Sequence, residues 1–190
     1  MLLYNKRAVV CGGSDGIGKS CAQLLAKNGA SITIIARNEA KIQSVIDELD
    51  KSNDQNHKFI CSDFNKPENL ESSLSDELKD NVDILINNSG GPHGGLLIES
   101  EIEEFRLAFE RLLICNQIVT KSVISTMKNQ DYGRIINIIS TSIKQVIPEL
   151  GVSNTIRGAV AQWAKTLALE LGKYNITVNN VLPGYTKTGR

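Results

Sequence analysis

An excess of charge of either sign is what this 190-residue sequence most plainly lacks. Its 21 basic and 21 acidic residues cancel to a formal net charge of zero, and no block of like charges interrupts it. With aromatics at only 5% of the chain, nothing suggests a surface that grips nucleic acid or a membrane. Cysteine is sparse and scattered. Cys11, Cys21, Cys61 and Cys115 form no Cys-x-x-Cys pair, and His57 and His93 stand apart from them. That spacing argues against a zinc site and against a disulfide framework. Reduced, mostly buried thiols in a cytoplasmic protein are the expectation. No apolar run reaches transmembrane length. Asn5, Lys6 and Arg7 interrupt the apolar start too early for a signal peptide. What remains is the composition of an ordinary soluble protein, at a length that favours one domain over residues 1–190.

The chain is organised around Cys11-Gly12-Gly13-Ser14-Asp15-Gly16-Ile17-Gly18. This stretch follows the apolar run Ala8-Val9-Val10 and opens a helical pattern that reaches Asn28. Gly12, Gly16 and Gly18 therefore fall at a strand-to-helix turn. Gly12 permits the tight turn, Gly16 lets the backbone approach a pyrophosphate, and Gly18 lets the helix lie close on the strand. The helix N-terminus adds unpaired N–H groups and the positive end of its dipole. The stretch reads as a phosphate-binding turn rather than a merely tight loop.

Beyond it, strand and helix patterns alternate, predicting an α/β fold with a doubly wound parallel sheet. Strands are expected at Arg7–Cys11, Ser31–Ala36, His57–Ser62, Val82–Asn87, Arg134–Ile139 and Thr177–Leu182. The fifth is an apolar run of the kind found in a sheet covered on both faces. The first helix carries Ile17, Cys21, Leu24 and Leu25 on one side and should stop at Gly29. Asn38 should cap a second helix with the stripe Ile42, Val45, Ile46 and Leu49. Further helices are expected over Pro67–Leu78, about Ser100–Lys128 and about Val152–Leu171. Arg37 ends the second strand, where a dinucleotide fold meets the adenosine ribose. An acid there would select the 2′-hydroxyl of NAD, whereas an arginine pairs with the 2′-phosphate of NADP. NADP is the favoured cofactor, with NAD possible, because Asp15 pulls the other way.

The spacing Gly-x-x-x-Gly-x-Gly resembles the short-chain dehydrogenase/reductase family, whose usual pattern has Thr where Cys11 stands; a thiol is the weaker donor. Cys61-Ser62-Asp63-Phe64 resembles that family's acidic motif, which implies that Asp63 and the backbone of Phe64 hold adenine. Asn87-Asn88-Ser89-Gly90 resembles its Asn-Asn-Ala-Gly, which implies a brace for the sheet and a cofactor wall at Asn88, Ser89 and Gly90. Pro183-Gly184-Tyr185-Thr186-Lys187-Thr188 resembles the motif whose Pro-Gly backbone and Thr hold the nicotinamide carboxamide, here Pro183, Gly184 and Thr188. Ser14 and Ile17 complete the implied phosphate turn.

The active centre departs from the resemblance, which implies an Asn, a Ser and a Tyr-x-x-x-Lys pair. Asn116 and Ser140 stand for the first two. Ser153 and Arg157 stand where Tyr and Lys are expected, within flanks Gly158-Ala159-Val160 and Trp163-Ala164-Lys165-Thr166 that match well. This pattern resembles a divergent subgroup described as 3-oxoacyl-acyl-carrier-protein-reductase-like. The resemblance implies hydride transfer between NADP(H) and a small carbonyl or alcohol substrate, with Asn116, Ser140, Ser153 and Arg157 as the catalytic set. A water held by Ser140, Ser153 and Asn116 is one substitute proton carrier; Tyr185 or Lys187 is another. The alternative function is a dinucleotide-binding sensor or partner without turnover. Hydrolysis through Ser153 is disfavoured, since no His or acid is spaced to activate it. The resemblance also implies a homodimer or homotetramer. It would form through the long helix around Phe105, Leu107, Phe109, Leu112 and Leu113 and the helix Val160–Leu171. Relatives continue past the sixth strand with a substrate loop, a helix and a seventh strand. The expectation here is that the chain continues or that a partner covers that edge.

Overall fold

Short apolar runs between glycine and asparagine turns become strands, and longer amphipathic stretches become the helices between them. The computed structural model describes residues 2–78 and 81–188. In order, it contains β1 (Arg7–Cys11), α1 (Gly16–Lys27), β2 (Ser31–Ala36), α2 (Glu39–Glu48), β3 (Lys58–Cys61) and α3 (Pro67–Glu77). Next come β4 (Ile84–Asn87), α4 (Ile102–Phe109), α5 (Cys115–Asn129), β5 (Gly133–Ile138), α6 (Gly151–Leu171) and β6 (Ile176–Val181). The six strands are parallel in the order β3-β2-β1-β4-β5-β6. The connections run outward in opposite directions from β1 and β4. That makes the carboxyl ends of this pair the switch point where a doubly wound sheet leaves a crevice.

Helices pack on both faces, and alternate residues of β1 divide between them. Val9 and Cys11 join Leu85, Val119, Val123 and Met127 on the α5 side. Ala8 and Val10 join Ile32, Ile34, Ile42 and Val45 on the side of α1 and α2. The stripe on α2 is buried as expected, including Leu49 just past its end, and Asn38 caps it by accepting from the Lys41 N–H at 2.9 Å.

The apolar side of the first helix is only partly covered, with Cys21 and Leu25 packing against the core from its flank. Gly18, Ala22 and Ala26 face the sheet, Ile17 and Cys21 are half-buried, and Leu24 is exposed. Small residues win because the helix lies so close to β1 that larger side chains are pushed to its flanks. β5 also differs. Gly133, Ile135 and Asn137 are buried, while Arg134, Ile136 and Ile138 are half-buried, so only one face is fully covered. Of the four free thiols, Cys11 and Cys115 are buried, Cys21 is half-buried and Cys61 is exposed. The expected long helix is interrupted. Between α4 and α5 it passes through a π turn at Glu110–Ile114, a distortion that inserts a residue and often marks functional sites.

Candidate active site

Two glycines shape the turn after β1. Gly12 has φ +60, and a Cβ there would lie 2.7 Å from both the backbone oxygen and Nδ2 of Asn88. A Cβ on Gly18 would overlap the carbonyl oxygen of Gly12. The loop after β1, the start of α1 and the end of β4 are thus pressed together, and Asn88 donates to the carbonyls of Cys11 and Gly12 at 3.3 and 3.4 Å. Asp15 caps α1 by accepting from the Gly16 N–H at 2.7 Å, and the first turn carries no acidic residue. This cradle, at the N-terminus of α1 and with no side chain at Gly12, fits a dinucleotide pyrophosphate.

Two chambers adjoin along this cradle, sharing Gly12, Asp15, Asn88, Ser89 and Gly90. One, of about 350 Å³, is also bordered by Ser14, Arg37, Asp63 and Phe64. Lys41, four residues beyond Arg37 on α2, borders it as well and sits 3.9 Å from the Asp15 carboxylate. Two cations therefore flank the end where the adenosine ribose would lie, and the neighbouring lysine offsets the Asp15 charge. That donor set fits a 2′-phosphate. One oxygen of Asp63 accepts from the backbone N–H and the side-chain amide of Asn65, each at 3.0 Å.

The other chamber, of about 690 Å³, brings together Gly16, Ile17, Ser140, Ser153, Arg157, Pro183, Gly184 and Thr188. Thr188 packs on the turn, where a Cβ added to Gly16 would meet its methyl group at 3.1 Å. The fully exposed Tyr185 also borders this space. Ser140 and Ser153 both border this space. The Ser140 oxygen accepts from the Ser142 N–H at 3.0 Å. Buried Ser153 accepts from Arg157 Nε at 3.2 Å. Arg157 Nη1 donates to the carbonyls of Ile139 at 2.8 Å and Ile138 at 3.4 Å. The guanidinium is therefore anchored to the end of β5. A hydroxyl that accepts from a cation has its own O–H turned away from that cation and polarised as a donor.

Asn116 does not border that chamber. It is buried behind it, lining a small cavity of about 10 Å³ with Asn87, Ser89, Leu112 and Arg157. Asn87 donates to Asn137 Oδ1 at 2.9 Å, and Asn137 donates to Asn180 Oδ1 at 3.0 Å. The Oδ1 of Asn87 is buried without a hydrogen-bond partner among the described residues. Gly18 borders neither chamber; its contribution is the close packing of α1. Burial raises both core thiols, Cys115 to about 12, so neither is a thiolate at neutral pH. Lys41, Asn65 and Arg111 border the first chamber without having been singled out from the sequence. Among the described residues no group of three or more His, Cys, Asp or Glu could hold a metal ion.

Residues 6–190 match the short chain dehydrogenase family. The chain belongs to that family. It is 33% identical over 193 residues to the 3-oxoacyl-acyl-carrier-protein reductase FabG of Vibrio cholerae, an alignment covering 99% of this chain and 76% of that protein. The enzyme of the same description from Rickettsia prowazekii is 33% identical over 190 residues, covering 98% and 75%. The fold is also similar to L-sorbose reductase from Gluconobacter frateurii, solved with NADPH and L-sorbose. That likeness has a TM-score of 0.92 at 27% identity, over 100% of this chain and 73% of the other. Within the family the chain is an NAD(P)-dependent oxidoreductase. Among the described residues no helix is long and apolar enough to cross a membrane.

Proposed function

We propose that the protein binds NADP(H) across the two chambers and interconverts a small carbonyl compound and its alcohol, a 3-oxoacyl thioester being the class its relatives suggest. The observation that carries this reading is the placement of Ser140, Ser153 and Arg157 on the chamber that opens onto the Gly12–Gly18 cradle. Bound there, the nicotinamide supplies the hydride. Arg37 and Lys41 take the 2′-phosphate, the α1 N-terminus takes the pyrophosphate, and Asp63 with Phe64 borders the adenine. Asn88, Ser89 and Gly90 form the wall between the chambers, and Pro183, Gly184 and Thr188 hold the carboxamide end. Ser140 and Ser153 donate to the substrate oxygen. Arg157 polarises Ser153 and stabilises negative charge on that oxygen, but it cannot release its own proton at neutral pH.

Ser153 and Arg157 replace the Tyr-Lys pair in this reading, and turnover is slow. A serine hydroxyl reaches roughly 4 Å less far than a phenol, judging from bond lengths, and is a poorer acid. A second reading, binding without turnover as a sensor or partner, draws on Asn116, which lies behind the chamber rather than in it. The two readings separate in one experiment. NADPH and NADH are titrated by fluorescence, and NADPH oxidation is followed with ketones and 3-oxoacyl thioesters. Binding with slow turnover supports the first reading, binding with none supports the second, and no binding removes both. The protein is further proposed to be a single cytoplasmic domain over residues 1–190 that assembles as a homodimer or homotetramer.

A further inference from the structure

Hydride arriving at a carbonyl carbon leaves negative charge on the oxygen, and a proton has to follow. Ser140 and Ser153 can hold that oxygen, but a serine hydroxyl is a poor acid, so the proton comes from another group. Among the described residues, four ionisable side chains border the 690 Å³ chamber: Asp15, His93, Arg157 and Tyr185. Three of them are ill suited. One Asp15 oxygen accepts from the Gly16 N–H at 2.7 Å and the other lies 3.9 Å from Lys41 Nζ, so the carboxylate is engaged as an acceptor. Arg157 keeps its proton. Tyr185 is 98% exposed, where water competes for its hydroxyl. Lys187 is not on this border.

His93 is differently placed. It is exposed in the loop after β4, and that loop is tied on either side of it. Arg111 Nη1 donates to the Gly91 carbonyl at 3.4 Å. The Gly95 N–H donates to the Glu149 carbonyl at 2.6 Å, and the Gly151 N–H donates back to the Gly95 carbonyl at 3.1 Å. Gly151 opens α6, whose first turn carries Ser153. The loop thus keeps an imidazole on the same chamber as the two serines, while leaving it accessible to water. Imidazole is the side chain that both gives up and regains a proton near neutral pH. His57, the only other histidine of the chain, has both ring nitrogens in hydrogen bonds within the protein.

We infer that His93 is the catalytic residue that protonates the substrate oxygen. The inference rests on the hydride-transfer reading above and names the group which that reading leaves open. As hydride reaches the carbonyl carbon, a C–H bond forms and the π electrons of the carbonyl move to its oxygen. An N–H bond of the imidazolium breaks, the O–H bond of the alcohol forms, and the neutral ring takes a proton back from solvent. Alcohol oxidation runs the same steps in reverse, with the neutral ring as base. An acid carried on a loop is less firmly aimed than one fixed on a helix, in keeping with slow turnover.

The test uses the whole chain, with cyclohexanone, which does not titrate, and a 3-oxobutanoyl thioester as probes. In the wild type, kcat for NADPH oxidation should fall from about pH 6 to about pH 8. His93→Gln should lower kcat about 10²-fold, flatten that fall, and leave KM and NADPH affinity nearly unchanged. His93→Ala should regain turnover when free imidazole is added. Ring NMR signals give a readout that needs no turnover. Cyclohexanone added to the NADP⁺ complex should shift the His93 signals, identified by their loss in His93→Gln, and leave those of His57 in place. Four results would overturn the inference: wild-type kcat in His93→Gln, a loss confined to KM, a pH dependence that survives His93→Gln but disappears in Tyr185→Phe, or His93 signals that do not respond to the ketone. A wild type that binds NADPH yet turns over neither probe would overturn the hydride-transfer reading, and this inference with it. One that binds no NADPH would overturn the dinucleotide reading as well.

Discussion

Arg157 donates through Nε to the hydroxyl oxygen of Ser153, 3.2 Å away and one turn earlier on α6. The pair is a charge beside a short hydroxyl, where the resemblance implies a charge beside a long phenol. A positioned general acid contributes about 10²–10⁴-fold in rate. Ser153→Tyr combined with Arg157→Lys is therefore expected to raise turnover by about 10²-fold, and either change alone by much less, because the two act as a unit. Steady-state NADPH oxidation checks this. Brisk wild-type turnover that persists in Ser153→Ala would mean that another group delivers the proton.

Cofactor preference is expected to follow the cations at the end of β2. NADPH should bind more tightly than NADH, and Arg37→Ala should remove about tenfold of that preference, the worth of one charge-assisted contact. Lys41→Ala should do the same to a smaller extent, because Asp15 shares its charge. Fluorescence titration of both cofactors decides it. Equal affinities in the wild type would contradict the assignment.

Stability should depend on His57. Its Nδ1 accepts from the Ile32 N–H at 3.1 Å, so the proton sits on Nε2, which donates to the Asp50 carbonyl at 2.8 Å. Burial lowers its pKa from the ordinary 6.5. The folded state holds the neutral ring more firmly than the unfolded chain does. Its stabilisation is therefore complete above about pH 6.5 and is lost as pH falls through the lower folded value. Melting midpoints from pH 8 to pH 5 should decline through that window. His57→Gln should melt lower at pH 8 yet decline less, and an unchanged slope would rule out His57 as the source.

Assembly should run through the long helix. Leu107 and Phe109 remain 40% exposed and Leu169 on α6 is 86% exposed, whereas Leu112 is buried and Phe105 and Leu113 are half-buried. A dimer at least is expected by light scattering at micromolar concentration. Phe109→Glu with Leu169→Glu should shift it to the monomer mass. A monomeric wild type would refute the interface.

The strands and the cofactor turn were legible in the sequence because they rest on local chemistry. Apolar runs bounded by turn residues became strands within one or two residues of their expected ends, and the glycine spacing set the cradle. Less legible were features that depend on how far apart two elements pack. The side chains of α1 divide by size rather than by hydrophobicity, since the helix lies almost on β1. Asn116 was grouped with Ser140 by spacing alone. The interval from Asn116 to Ser140 lies wholly beyond the π turn at Glu110–Ile114, and a residue count through α5 and β5 does not fix which way either side chain faces. Arg111 had no signal beyond being a charge within an apolar stretch, and its direction is set by that same turn. Lys41 could have been found, because four residues on a helix return to the same face.

The three asparagines in register on β4, β5 and β6 donate in one sense, from Asn87 to Asn137 to Asn180. Each amide fixes its neighbour, so none can turn over unless all three do, and the Thr120 hydroxyl that accepts from Asn87 at 3.4 Å helps to set the sense. Their dipoles add head to tail across the strands, at right angles to those of the helices. The negative pole of this row is the Oδ1 of Asn87. Asn87 is one of the residues lining the small cavity that Arg157 also borders. The row therefore gives this part of the sheet a fixed polarity, its negative end at Asn87 beside that cavity and its positive end at Asn180 on β6.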